Sequence, residues 1–447
     1  MFSFFISTLV ASNLLGYVSG SFETQAWQNV GDVFTFPETA YPEVESKQNV
    51  GVTFSGGGSR SYTLTIGTLA AFHELNMMGN VKYVAGSSGG SWGMGVYSYY
   101  QHDFVDDSTM LGPVAFPENI TYDNLLQMEP YCVRNFTNMT YPYTKIVYFE
   151  DWVTAVQDIY YTPSGVGRHV PFTLNNESLV GIKALNPQLE NTTFIYPRGT
   201  DMSETELAVA GIDPRPYPII QATLIGPFDM MPWEPTNRNY SLVEWAPLTA
   251  GVAYSHPITY TTIDNTSTVH STVGGFIDPF AFNSTGAPTS GLPSGDTSGV
   301  LTVPESRVFC DVALASGTSS WAVGEDIAAT PDHEIEKAAG RLNYWAPSAK
   351  DPSIDYALFS TGDGAGNSNT DLISLIQRNV SQIIAFVNTN TPMMNSTNWN
   401  PATDNLTTAN IDFTYVSFPV SCLLVFLLFL FYYLFIFFIV LTAFGYI

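Results

Sequence analysis

Three glycine-rich turns hold the side chains best placed to do chemistry. The first, Gly86-Ser87-Ser88-Gly89-Gly90, follows the apolar run VKYVA at 81–85 and precedes an apolar stretch from Gly93 to Tyr100. A serine attacks a carbonyl only when its hydroxyl is lifted clear of the backbone on a tight strand-to-helix turn. Glycines two residues to either side remove the Cβ atoms that would crowd that turn. The helix that follows turns its positive end toward developing negative charge. Gly89-Gly90-Ser91-Trp92-Gly93 matches the same spacing, but Ser91 would already lie within the helix, whereas Ser88 stands where the strand ends. The alternative for Ser88 is an ordinary Gly/Ser turn.

The second turn, Gly56-Gly57-Gly58-Ser59-Arg60, follows the β-branched run NVGVTFS at 49–55. Glycines ahead of a helix leave amide N–H groups open to an anion, and two such amides can hold the oxyanion of an ester's tetrahedral intermediate. The rival is a phosphate cradle, but neither GxxxxGK[ST] nor GxGxxG is present there. Arg60 is one of 15 basic residues against 40 acidic ones. Its guanidinium could clamp a phosphate, or simply form a surface ion pair. The third turn is Gly362-Asp363-Gly364-Ala365, after the strand-like YALFS at 356–360. Asp-Gly is a common turn signal; its position after a buried strand, late in the chain, marks Asp363 as an acid. None of the six histidines (His73, His102, His169, His256, His270 and His333) follows Asp363. The order serine, acid, histidine of an α/β-hydrolase therefore fails for this acid. A Ser–Asp dyad, with the carboxylate taking the serine proton, fits better.

Two strand–turn–helix units must position these turns: 49–55 leading into a helix from Ser61 to Met78, and 81–85 leading into a helix from Gly93. In succession they indicate an α/β sheet with short crossovers. In the first helix Leu64, Leu69, Ala70, Phe72 and Leu75 fall at helical spacing. Residues 21–45 read as an aromatic lead-in. From 101 to about 300 the chain is rich in Pro, Asn, Thr and aromatics. A strand is expected at 218–226 and a low-complexity loop at 283–299, and the whole stretch is expected to insert into or cap the sheet. DVALASGTSSW at 311–321 reads as an apolar run ending in a turn. TDLISLIQRNV, beginning at Thr370, reads as a helix with Leu372, Leu375 and Ile376 on one face.

The 447 residues allow a large core, and the formal charge of -25 argues against nucleic-acid binding. Residues 1–20 are apolar and end in small residues, as a signal peptide does. Asn-x-Ser/Thr sequons start at Asn119, Asn135, Asn138, Asn176, Asn191, Asn239, Asn265, Asn283, Asn379, Asn395 and Asn405, which suits a glycosylated luminal or extracellular surface. After Asp412 the chain is uncharged. Residues 413–447 fit a lipid-anchor signal or a retained membrane helix. Of three cysteines, Cys422 lies in that tail, and Cys132 and Cys310 could pair in an oxidising compartment. No Cys/His cluster has zinc spacing.

GGGSR, GSSGGSW and GDGA, in that order, resemble the patatin/cytosolic phospholipase A2 catalytic-domain superfamily. The detailed likeness runs over 50–100 and 311–378, and within the superfamily it is closest to the fungal phospholipase B/lysophospholipase branch. ALASGTSSW at 313–321 is similar to that branch's Gly-Thr-Ser-Ser stretch. The resemblance implies an α/β fold: a central mixed β-sheet flanked by helices, with an irregular cap, filling residues 21–412. It also implies Ser88 as nucleophile, Asp363 as base, the amides of Gly57 and Gly58 as oxyanion hole, and Arg60 on the substrate phosphate. Phospholipid or lysophospholipid at a membrane is the implied substrate, with no cofactor, no metal and no calcium dependence. A non-catalytic surface glycoprotein on the same scaffold and a general serine esterase are the alternatives.

Overall fold

The computed structural model describes residues 20–29, 34–102, 105–112, 114, 148–228, 240–261, 268–293, 295–306, 308–324 and 338–388. The expected signal peptide up to residue 19, the tail at 413–447, Cys132, His333 and the sequons at Asn119, Asn135, Asn138, Asn239, Asn265, Asn395 and Asn405 lie outside them. No helix among the described residues is long and apolar enough to cross a membrane. Of the remaining sequons, Asn176, Asn191 and Asn379 are exposed, whereas Asn283 uses its side-chain oxygen to accept the Asn343 N–H at 2.7 Å.

Among the described residues one mixed sheet of eleven strands organises the fold. The strands are β1 (Ser21–Trp27), β2 (Val50–Phe54), β3 (Tyr83–Ser87), β4 (Tyr217–Pro227), β5 (Ser241–Ala246), β6 (Thr249–Thr261), β7 (Thr268–Ile277), β8 (Ser298–Pro304), β9 (Gly340–Tyr344), β10 (Ala357–Gly362) and β11 (Gln382–Phe386). The spatial order is β11-β2-β3-β4-β5-β6-β7-β1-β8, with β10 set between β4 and β9. From β11 to β4 all pairs are parallel, and β3 is buried along its whole length, as a strand covered on both faces must be. Beyond β4 every pair is antiparallel.

The two expected strand–turn–helix units are present, with shifted boundaries. The first helix, α1 (Gly58–Glu74), starts earlier than Ser61 and stops before Met78. Its buried face holds Tyr62, Ile66, Leu69, Ala70 and Phe72, while Leu64 and Leu75 are 37% and 65% exposed. The second, α2 (Ser88–Tyr99), starts at Ser88 rather than Gly93, and every residue in it is buried. Helices apolar on all sides belong inside a protein. Gly93 lets α1 and α2 close on each other, since a Cβ there would lie 2.8 Å from Thr65, and Gly95 makes room for Tyr161 against α2.

Three stretches differ from the reading of the sequence. Residues 21–27 form β1, not a lead-in, because β7 and β8 supply backbone partners on both edges. The strand expected at 218–226 is β4, but the four strands β5 to β8 between Ser241 and Pro304 were not read from the sequence; glycines at positive φ (Gly251, Gly274, Gly275) interrupt β6 and β7. Residues 311–321 contain a helix, not an apolar run and a turn. Asp311 caps it by accepting the Leu314 N–H at 2.6 Å. Helix α3 (Phe149–Val156) packs on this helix, α4 (Val312–Ser319), through a Trp152 indole bond to the Gly317 carbonyl at 3.1 Å.

Helix α5 (Leu372–Gln377) buries Leu372 and Leu375 but leaves Ile376 45% exposed. Arg378, directly after α5, anchors it. The buried guanidinium reaches Glu38 at 2.7 Å and Glu244 at 2.8 Å and lies 4.1 Å from the Phe36 ring centroid. Arg378→Met removes one charge and strands two buried carboxylates. It is expected to lower stability by about 3–5 kcal/mol, measured as a fall in the urea midpoint at pH 7.

Candidate active site

Strand β4 is long enough to serve two neighbours on one edge. Its first half pairs in parallel with β3, ending at Ser87 opposite Gln221. Its second half pairs antiparallel with β10, ending at Gly362 opposite Thr223. The carboxyl ends of β3 and β10 therefore point at each other across Ala222. Each ends in a sharp turn, and the two turns carry Ser88 and Asp363.

Ser88 has φ 48 while Ser87 before it is extended at φ -119. A non-glycine residue in the left-handed region stores about 1–3 kcal/mol, and it is the strain expected of a serine raised on a strand-to-helix elbow. The glycines around it have defined jobs. A Cβ on Gly89 would collide with the Gly58 carbonyl, and one on Gly90 with the Phe54 carbonyl. The elbow is thus pressed onto the GGG turn. Asp363 accepts the Ala365 N–H at 2.9 Å. Burial pushes its carboxyl up to about 6, with the Ala365 amide and the nearby Ser88 side chain opposing the rise. Gly364 lets this turn close on the elbow: a Cβ there would lie 2.7 Å from Ser87 Cβ.

Gly57 and Gly58 have φ 135 and 62, both left-handed territory that glycine alone enters freely. A Cβ on Gly56 would lie 3.7 Å from Ser88 Oγ, so the turn borders the serine; one on Gly58 would meet nothing within 4 Å. The backbone is open at Gly58, whereas a Cβ at Gly57 would strike the Asn388 side chain. The Ser88 N–H is already committed to Ser319 Oγ at 2.9 Å. Arg60 sits exposed on the first turn of α1.

The five described histidines have their rings engaged elsewhere. His73 meets Asp213 and Ser108, His102 the Pro163 carbonyl, and His169 stands near Asp311. His256 meets Ser241 and the Tyr254 carbonyl, and His270 meets Thr259. His73, Asp107 and Asp213 are the one group among the described residues with ligand atoms close enough for a metal. Asp107, however, is held by both arms of Arg215 at 2.6 and 2.7 Å, so the group is an ion-pair network. Burial raises the Asp213 carboxyl, against the pull of His73.

Several supporting residues were not legible as such. Ser319 lies in the Gly-Thr-Ser-Ser stretch already noted, yet its bond to the Ser88 amide depends on α4 reaching the sheet. Ser87, Asn369 and Asp371 carry no local pattern that names them.

The site defines a class: a serine on a strained elbow facing a buried carboxylate, on an α/β sheet. No family model matches the sequence, and no curated protein matches it. Among solved structures it is similar to human GIVD cytosolic phospholipase A2, with TM-score 0.36, 16% identity, and coverage of 76% of this chain and 42% of that one. Two structures of that enzyme with methyl gamma-linolenyl fluorophosphonate, one also with terbium chloride, match at TM-score 0.25. Their identities are 18% and 17%, and each match covers 55% of this chain and 26% of theirs. The chain spans less than half the length of these neighbours. The narrower likeness to the fungal branch rests on the sequence motifs.

A carboxyl raised from 3.8 to about 6 is a penalty on the folded state when ionised. The penalty is absent below the unfolded value, grows as pH rises from about 4, and is complete above about 6. Asp363→Asn is therefore expected to stabilise the protein at pH 8 by roughly 2–3 kcal/mol, at 1.36 kcal/mol per pKa unit. The gain should vanish near pH 4, and urea unfolding across that range reads it.

Proposed function

We propose that the protein is a serine acyl-hydrolase that cleaves carboxylic ester bonds of phospholipids or lysophospholipids through a Ser88–Asp363 dyad. The observation that carries this reading is the placement of a left-handed Ser88 and a buried Asp363, whose carboxyl is pushed up to about 6, on two turns that β4 brings end to end. A base poised near the working pH is what general-base catalysis asks for. Asp363 takes the proton as Ser88 Oγ attacks the ester carbonyl. The amides of Gly57 and Gly58 receive the oxyanion, and the dyad's proton leaves with the alcohol. Water, activated by the same carboxylate, then cleaves the acyl-serine and releases a fatty acid.

Arg60, exposed beside the GGG turn, is the phosphate contact in this reading, and the motif resemblance supplies the lipid class. The finer assignment to a phospholipase B-like activity rests on the same resemblance. So does a place on the extracellular or luminal face of the secretory pathway, tethered by the tail, with the two apolar ends and the sequons in support. A general serine esterase has the same dyad and differs only in ignoring the phosphate.

The test is fatty-acid release from phosphatidylcholine and lysophosphatidylcholine. Ser88→Ala and Asp363→Asn, both folded, are expected to lose at least about 10³-fold in kcat. In the wild type kcat should fall about tenfold per pH unit below about 6. Arg60→Ala should raise KM for the phospholipid and leave hydrolysis of a neutral ester unchanged. Full activity in Ser88→Ala would remove the dyad from the mechanism. An equal effect of Arg60→Ala on both substrates would favour the general esterase.

A further inference from the structure

The chain does not leave the site after Asp363. Two residues beyond the short helix Ala365–Ser368 also touch it. Asn369 Oδ1 accepts the Gly56 N–H at 3.1 Å, holding the first residue of the GGG turn. Asp371 Oδ2 accepts both the backbone N–H and the hydroxyl of Ser87, each at 3.1 Å. Ser87 is the last extended residue before the elbow, so its peptide sets the direction in which Ser88 enters the left-handed region.

Asp371 is costly to keep. It is fully buried, it has φ 57 itself, and its Oδ1 has no hydrogen-bond partner. Its carbonyl is held by Gln221 Nε2 at 3.1 Å. Burial pushes its carboxyl well above the usual carboxylate range, and the nearby charge of Asp363 adds to the rise against the Ser87 bonds. An apolar residue of similar size would avoid the orphaned oxygen, though not the left-handed backbone, which aspartate tolerates better. What the acid supplies instead is a pair of bonds to one residue, immediately before the serine.

We propose that Asp371 is a positioning residue for Ser88, acting through Ser87. The inference rests on the reading of Ser88 as nucleophile. Asp371 touches no reacting atom; it fixes the peptide from which the elbow springs, so its loss misplaces the Ser88 hydroxyl rather than removing a group from the reaction.

The experiment uses the full chain as wild type, Ser88→Ala, Ser87→Ala, Asp371→Asn and Asp371→Leu. It measures the second-order rate of labelling by an alkyl fluorophosphonate, kcat and KM on lysophosphatidylcholine, and the melting temperature. Asparagine has the shape of aspartate and keeps an oxygen acceptor for the two Ser87 bonds, so Asp371→Asn should retain most of the labelling rate. Leucine accepts nothing. Asp371→Leu should lose roughly 10–100-fold in labelling rate and kcat, the effect of misplacing a nucleophile by about 1 Å, with KM near that of the wild type. A purely structural role would instead lower the melting temperature and leave the rate per folded molecule unchanged, and that result overturns the proposal. So does an Asp371→Asn rate as low as that of Asp371→Leu. If the leucine variant does not fold, Ser87→Ala decides, since it loses one of the two bonds: a slower labelling rate supports the role and a wild-type rate ends it. Wild type that labels no better than Ser88→Ala would sink the reading of the site, and this inference with it.

Discussion

The edge of β4 is the constraint on which everything else depends. Two strands that never pair with each other, β3 and β10, are held in line because each is hydrogen-bonded to a different half of the same strand. Their carboxyl ends stop on either side of Ala222, at Gln221 and Thr223. Neither turn needs to find the other by side-chain contact; the ladder spacing of one strand brings them together. The turns then lock. Thr223 Oγ1 donates to the Asp363 carbonyl at 2.6 Å, and the Gly364 N–H reaches the Ser319 carbonyl at 2.9 Å.

Strain and burial follow from that arrangement. A serine lifted at φ 48, an acid sealed from water and glycines pressed on carbonyl groups all oppose folding at one place. They persist because the surrounding layers are over-determined. Helices α2 and α4 are buried on every side, and the Arg378 network anchors the segment that follows the acid. The stability lies in the core and the difficult geometry lies in the site, as expected where a fold is held for chemistry rather than for its own sake.

The parts of this site that obey local rules could be read from the sequence. Ser88, Gly57, Gly58 and Asp363 each sit in a turn whose glycines announce a special backbone, and each turn follows a short apolar run. What failed was whatever depends on distant partners. The strands after β4, from Ser241 to Pro304, have no clear alternation because their burial is set by neighbours across the sheet and broken by glycines such as Gly251 and Gly274. Ile376 has the spacing of a core residue but faces outward, since α5 is too short to present a full face. Asp371 looks like a helix cap, and only the fold reveals that its side chain turns back to Ser87.

That last contact closes a loop of 284 residues. Closing so long a loop costs little more entropy than closing half of it, but contacts of this separation form slowly and only after the sheet between them has assembled. During synthesis the elbow is laid down 284 residues before Asp371, so Ser87 must wait for the side chain that steadies it.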